Sequence, residues 1–260
     1  MQNLILEVNA GIARLILNRP ECLNSFNESL HQELASAFQQ VSHDPDVRVI
    51  LITGAGRAFC AGQDLRETSQ QSRVPLPLEG SLERYYNPLI QAIRQSAKPV
   101  LAAVNGVAAG AGANLALACD VVIAKRSAQF IQSFCNIGLL PDAGGTWMLP
   151  RLVGYAKATG LTLLGEPIDA VAAEQMGMIW QAVADDEFEH AVQALCEKLA
   201  TRPTQALAFT KQAIQRSSEH TLQQQLELER NLQYFALHSH DFQEGVQAFK
   251  QKRPARFIGR

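Results

Sequence analysis

The chain has 260 residues, 47% of them hydrophobic and 18% charged, with a formal net charge of −2. That balance suits a soluble globular chain with enough apolar material for one domain or two closely packed ones, and it excludes disorder. Lysine and arginine are scattered rather than clustered, which excludes an electrostatic footprint for DNA or RNA, so any anionic ligand has to be held by local contacts.

The first segment, MQNLILEVNAGIARLILNRP, has no basic leader, and Glu7, Asn9 and Gly11 interrupt its apolar runs before signal-peptide or membrane-span length. A cytoplasmic protein is expected. Leu4–Val8 and Ile12–Leu17 read as strands joined by a turn at Asn9-Ala10-Gly11, a hairpin. Leu30, Leu34, Phe38 and Val41 recur at near-helical intervals and predict a helix over 27–42 with Asn27 as N-cap. The apolar run Val47–Thr53 predicts a buried strand that enters the loop GAGRAFCAGQDL. The polar, proline-containing stretch 67–80, ETSQQSRVPLPLEG, reads as a surface loop, with a lid over a ligand as the alternative. A helix over Leu82–Ser96, kinked or restarted at Pro88, leads to a strand at Val100–Val104 and a second Gly-rich loop, NGVAAGAGANLALACD. Strands follow at Val121–Ala124 and Ile179–Val183, and from about Glu187 the pattern is helical only. Leu222, Leu226, Glu229 and Leu232 mark a stripe that has to be covered by the core or by a neighbouring subunit. The recurring order predicts an α/β chain of stacked ββα units, with residues 1–185 as the core and 186–260 as a helical region.

The five cysteines, Cys22, Cys60, Cys119, Cys135 and Cys196, are odd in number and lack CxxC spacing, so buried free thiols are expected rather than disulfides or zinc. The histidines form no HExxH pattern. His238 and His240 are two apart, a spacing that does not share a helix face, and no metal site is predicted. Nor is there a GxSxG elbow. Each of the first two Gly-rich loops follows a buried strand and opens a helix, where unpaired backbone N–H groups can receive negative charge. Two such loops on consecutive strands can converge on one oxygen, the geometry of an oxyanion hole. In GLLPDAGGT a lone carboxylate, Asp142, lies among apolar residues. Local sequence leaves two roles open: turn and N-cap for a helix starting at Ala143, or functional acid. Capping favours the anion, whereas burial against Phe134 and Trp147 favours the neutral form.

The segments AGRAFCAGQDL (55–65), KPVLAAVNGVAAGAGANLALACD (98–120) and GLLPDAGGTWMLPRLVG (138–154) resemble the three signature segments of the crotonase, or enoyl-CoA hydratase/isomerase, superfamily. LILNRPECLNSFN and FQEGVQAFKQKRPARF resemble it as well, so the likeness covers nearly the whole chain. It implies a crotonase-type spiral of ββα units, C-terminal helices that build a homotrimer or a dimer of trimers, and an acyl-CoA substrate. CoA is then part of the substrate, and no metal, flavin or nicotinamide is required. By the same resemblance, the thioester oxygen lies between the backbone amides of Gln63 and Ala111, with Gly112 as the alternative to Ala111. Leu23, Asp64 and Leu65 are implied near the adenine and pantetheine, with Phe249 and Lys252 approaching from the C-terminal helix of the same or an adjacent subunit.

Hydratases of this family resemble one another in two glutamates that hold and activate water. Here those places fall on Asn114 and Phe134, neither of which is a general base, and Phe134 would displace the water; the resemblance leaves both, with Gly112, as residues expected to line the substrate. The carboxylate turns up instead at Asp142, where hydratases usually carry glycine. An acid there resembles the isomerases acting on dienoyl-CoA and on the ring epoxide of phenylacetyl-CoA. GAGRAFCAGQDL, ERYYNPL, NGVAAGAGANLAL, LLPDAGGTWMLPR, GMIWQ and EGVQAF together resemble the phenylacetate-degradation isomerases that convert ring-1,2-epoxyphenylacetyl-CoA to oxepin-CoA. The expectation is an isomerase in which Asp142 moves the proton. Tyr85 and Tyr86 are candidates for an aromatic acyl pocket, with plain core as the alternative. The rival expectations are a 3-enoyl-CoA to 2-enoyl-CoA isomerase, an enoyl-CoA hydratase and a catalytically silent CoA-binding subunit.

Overall fold

A computed structural model describes residues 2–66 and 78–260. Strands β1 (Leu4–Asn9) and β2 (Ile12–Leu17) form the expected antiparallel hairpin. Its two-residue turn has positive φ at Ala10 (50°) and Gly11 (77°), the handedness that matches the twist of the flanking strands. Helix α1 (Glu28–His43) starts where the sequence places it, with the Asn27 side chain accepting the Leu30 N–H at 2.9 Å. Three turns of a spiral follow, each supplying one long and one short strand and then a helix. The first is β3 (Val49–Gly54), β4 (Ala58–Cys60) and α2 (Asn87–Gln95). The second is β5 (Val100–Val104), β6 (Val107–Ala109) and α3 (Ala111–Ala118). The third is β7 (Val121–Lys125), β8 (Gln129–Ile131) and α4 (Gly145–Leu164). Short β9 (Pro167–Asp169), α5 (Ala170–Gln175) and β10 (Gln181–Val183) close the sheets, β10 being two residues shorter at its start than expected.

The long strands assemble in the order β1-β2-β3-β5-β7-β10 and the short ones in the order β4-β6-β8-β9. From β2 onward the large sheet is parallel, and β3 and β5 are buried on both faces, which is why they read as unbroken apolar runs rather than alternating ones. Ile50, Ile52, Val100, Ala102 and Val104 face one core together with α1 and α3. Val49, Leu51, Leu101 and Ala103 face a second core, covered by Phe188, Val192 and Cys196 of α6 (Phe188–Ala200). Helices α7 (Thr204–Arg216), α8 (Leu222–Leu237) and α9 (His240–Gln251) complete the chain, and α8 buries no residue of its own.

The stretch 67–80 lies outside the described residues except for its last three, which begin the helical turn Leu78–Ser81. A π-helical turn, Leu82–Tyr86, follows and runs without a break into α2, so Pro88, the second residue of α2, stands inside a continuous helical run directly after the wider turn. The cysteines are free; Cys135 is half-buried while the other four are buried. Among the described residues no helix is long and apolar enough to cross a membrane.

Candidate active site

The end of β4 meets the N-terminus of α3 through main-chain contacts. Phe26 N–H donates to Gly62 O at 2.7 Å, and Asp64 N–H donates to Phe26 O at 2.9 Å. This bridge occupies the groups on either side of Gln63 and turns the N–H of Gln63 itself away from Phe26. Gly62 has φ 88°, and a Cβ there would lie 3.0 Å from Ala109 O and 3.6 Å from Ala111 N. Only glycine lets the two loops approach so closely. Ala111 opens α3, so its N–H is one of the leading donors that no helical carbonyl accepts. Gly112 instead packs on β4, where a Cβ would fall 2.2 Å from Cys60 O.

Asp142 lies on a turn held to α3. Gly145 N–H donates to Asp142 O at 2.9 Å, and the two residues between are left-handed, Ala143 at φ 47° and Gly144 at φ 78°. Helix α4 therefore starts at Gly145, with Gly144 as its N-cap and no side-chain cap. Of the two roles that local sequence left open for Asp142, N-capping of a helix starting at Ala143 is not seen, because two left-handed residues separate it from the first residue of the helix. Its Oδ1 is buried without a hydrogen-bond partner, and burial raises the pKa from 3.8 to about 6. Trp147, expected to help bury it, is 38% exposed and lies under Arg151 and Arg94, whose guanidinium carbons are 4.1 and 5.6 Å from the ring centroid. Phe134 is buried beside Gly110, its Cζ 3.8 Å from where a Cβ of that glycine would stand. Asn114, expected to line the substrate, has both polar atoms engaged by protein: Nδ2 donates to Asp142 O at 2.8 Å, and Oδ1 accepts from Gln132 Nε2 at 2.9 Å.

A largely buried aromatic cluster stands beside Gln63, and the charge of Asp142 is felt at its Tyr86. The Tyr86 hydroxyl donates to Gln63 Oε1 at 2.8 Å. Burial, and then the charges of Cys60 and Asp142, hold the Tyr86 phenol well above its ordinary pKa, so it stays a donor. His31 stacks between Phe26 (centroids 4.6 Å apart) and Tyr85 (5.1 Å) and meets the edge of Tyr86 at 4.4 Å. Burial drives its pKa down to about 4, against a smaller opposing pull from the Gln63 carboxamide. Sequence reasoning missed His31, although it lies three residues before Leu34 and four after Asn27, on the buried face of α1. Tyr85 is half-buried and donates to Glu28 Oε1 at 2.6 Å.

The loop implied for CoA is pinned by polar contacts. Leu23 and Asn24 are both left-handed, at φ 54° and 57°. Asn24 Nδ2 donates to Ala55 O and Ala58 O at 2.9 and 2.8 Å, and Ala61 N–H donates to Leu23 O at 3.0 Å. Asp64 is buried and accepts from Arg66 and Arg19, each at 3.1 Å; the Arg66 hydrogen bond leads in holding its carboxyl below the usual range. Its carboxylate is thus a brace for the loop, and the buried Arg19 was another partner that sequence did not single out. Leu65 is exposed beside it. Phe249 and Lys252 lie on α9 and at its C-cap, both exposed, and Phe249 borders a groove with Phe242, Gly245 and Phe257.

The site therefore brings together two closely packed Gly-rich loops, the leading N–H of α3 beside Gly62, and a buried carboxyl raised to about 6 on a turn that α3 holds. A sequence model of the enoyl-CoA hydratase/isomerase family matches residues 7–260, and the chain belongs to that family. It is 50% identical to 1,2-epoxyphenylacetyl-CoA isomerase of Escherichia coli K12 over 261 residues, covering 100% of both chains. It is also 50% identical over 254 residues to a Rhodobacter capsulatus protein named "Probable enoyl-CoA hydratase", covering 98% of this chain and 97% of that one. The crystal structure of enoyl-CoA hydratase from Bacillus anthracis superposes with a TM-score of 0.92 at 32% identity, covering 100% of each chain. The fold is the crotonase fold.

Proposed function

We propose that this chain is an acyl-CoA isomerase that converts ring-1,2-epoxyphenylacetyl-CoA to oxepin-CoA in phenylacetate degradation. The observation that carries the reading is Asp142, whose unpartnered, buried oxygen and pKa of about 6 suit a group that both takes and returns a proton. Asp142 removes the proton α to the thioester, and the electron pair moves onto the thioester oxygen between the N–H groups of Gln63 and Ala111. Release of epoxide strain drives the ring to the oxepin, and Asp142 gives its proton back, so substrate and product have the same atoms. Each main-chain donor of this type is worth about 2.7–4 kcal/mol of barrier. No metal, flavin or nicotinamide enters these steps.

The E. coli relative, similar over its full length, supports the isomerase reading. The equally similar R. capsulatus relative makes hydration the second reading, but that reaction requires Asp142 alone to activate water, since Asn114 and Phe134 cannot. Leu23, Asp64 and Leu65 are read as the CoA surface, completed by Phe249 and Lys252 of the same or an adjacent subunit in a cytoplasmic homotrimer or dimer of trimers. The test is Asp142→Asn, with isomerisation of the epoxide, hydration of crotonyl-CoA and acyl-CoA binding measured side by side. Loss of isomerisation by roughly a hundredfold or more with binding retained is expected. Wild-type turnover by the variant rejects the assignment.

A further inference from the structure

Asn114 stands where the hydration chemistry of this family would place a carboxylate, yet its side chain is spent on the main chain. It is fully buried on α3 and donates from Nδ2 to the Asp142 carbonyl, 2.8 Å away. That carbonyl also accepts the Gly145 N–H at 2.9 Å, so both of its lone-pair directions are used. The orientation of the Asn114 amide is fixed in turn by Gln132, also buried, whose Nε2 donates to Asn114 Oδ1 at 2.9 Å. Packing enforces the same arrangement, because a Cβ at Gly145 would fall 2.3 Å from Asn114 Nδ2. The turn held in this way contains Ala143 at φ 47°, a conformation that residues other than glycine adopt only where their surroundings over-determine it.

We propose that Asn114, oriented by Gln132, is a positioning residue for Asp142: the relay clamps the left-handed Asp142–Gly145 turn to α3 and thereby fixes where the carboxyl sits relative to the Ala111 amide on the same helix. The inference rests on Asp142 being the proton carrier proposed above. Its physical basis is that α3 supplies both an unpaired donor at its first residue and, one turn later, the group that locks the acid, so one rigid element sets both positions. Without the clamp the turn can relax toward ordinary helical geometry, and its carboxyl toward water. A misplacement of about 1 Å is enough to cost roughly a hundredfold in rate.

Among the described residues the titratable group whose charge couples to Asp142 is Tyr86, backed by His31, whose pKa of about 4 lies below the limb; α3 carries none, the Ser133–Ile137 turn carries only Cys135, and the cations Arg94 of α2 and Arg151 of α4 stack on Trp147. A shift in the acid limb of the pH–rate profile therefore reports on the hydration of Asp142 itself.

The test uses full-length Asn114→Leu, Gln132→Met and the double variant, with Asp142→Asn alongside. The probe is phenylacetyl-CoA, whose α-hydrogen exchange in deuterium oxide is followed by mass spectrometry. Asn114→Leu is expected to slow exchange by roughly ten- to a hundredfold, with KM within about twofold of wild type and the acid limb moved to lower pH. Gln132→Met, which should still fold if Asn114→Leu does not, is expected to give a smaller loss of the same kind. The double variant should be no slower than Asn114→Leu, since both act through one relay. Additive losses, or an unchanged acid limb with wild-type rates in Gln132→Met, overturn the proposal. Equal exchange by wild type and Asp142→Asn, or none by the wild type, overturns the reading beneath it and the relay with it.

Discussion

Asp142 and His31 are both pushed toward their neutral forms by burial, and the two shifts act on pH dependence with opposite sign. For Asp142 as a base the ionised form is the active one, so kcat/KM should rise with pH through a limb with an apparent pKa of about 6, measured with an acyl-CoA substrate whose own pKa lies well outside the range. A limb at the ordinary carboxylate pKa would contradict the burial seen at this residue. The same shift has a stability consequence. A carboxyl raised from 3.8 to about 6 adds nothing unfavourable below about pH 4, where both states are protonated; stability is lost as pH rises from about 4 to about 6 and the loss is complete once the buried group has ionised. Asp142→Asn should therefore be more stable than wild type at pH 8, by at most about 3 kcal/mol, and indistinguishable near pH 4 in denaturant melts. His31 works the other way, losing stability between about pH 6.5 and 4, but it is common to both proteins and cancels in the difference. Asp142 was legible as an outlier in an apolar loop. Gln132 was not, because a glutamine after a short strand carries no mark of burial until the chain folds over it.

Helices and strands are tied together by a small number of part-buried polar contacts whose loss should be felt. Lys211 on α7 pairs with Asp120 at 2.8 Å and also donates to Ile93 O at 2.8 Å at the end of α2, while Asp120 accepts the Val100 N–H that opens β5 at 2.8 Å. Burial raises the Asp120 pKa against the pull of Lys211. Lys211→Ala is expected to lower stability by about 1–3 kcal/mol by removing the nearest cation from a half-buried carboxylate, and Asp120→Asn added to it should restore most of the loss in thermal or urea unfolding. An equal loss in the double variant would mean that packing rather than charge is at stake. The long strands were legible from their apolar runs, and α1 from its stripe and cap. The short strands β4, β6, β8 and β9 were not, since three residues in Gly- and Ala-rich sequence give no period to read and their pairing depends on strands distant in the chain. The π turn at Leu82–Tyr86 was also hidden, although it decides that Tyr86 points inward while Tyr85 covers His31.

The whole molecule leaves apolar surface that a single chain does not cover. On α8, Leu222 is 75% exposed and Phe235 60%, with Leu226 and Tyr234 also open, and Tyr155, Leu163 and Trp180 add further exposed apolar side chains elsewhere. Patches of this kind mark association surfaces. A homo-oligomer, proposed as a trimer or a dimer of trimers, is expected by light scattering at micromolar concentration, and Leu226→Asp with Phe235→Glu should shift it toward monomer. A wild-type monomer would leave these side chains without an explanation.

Composition, apolar runs and the order of the glycine-rich loops were enough to determine an α/β chain of repeated units, the two loops that meet, and a carboxyl out of place among apolar neighbours, because those signals are local and repeat along the chain. What Asp142 is held by, which of its neighbours are polar, and that α4 begins at Gly145 rather than at Ala143 were decided only in three dimensions. His31 comes from α1 and Tyr86, Asn114 and Gln132 from three different turns of the spiral, and contacts between residues so far apart in sequence exist only once the strands between them have paired.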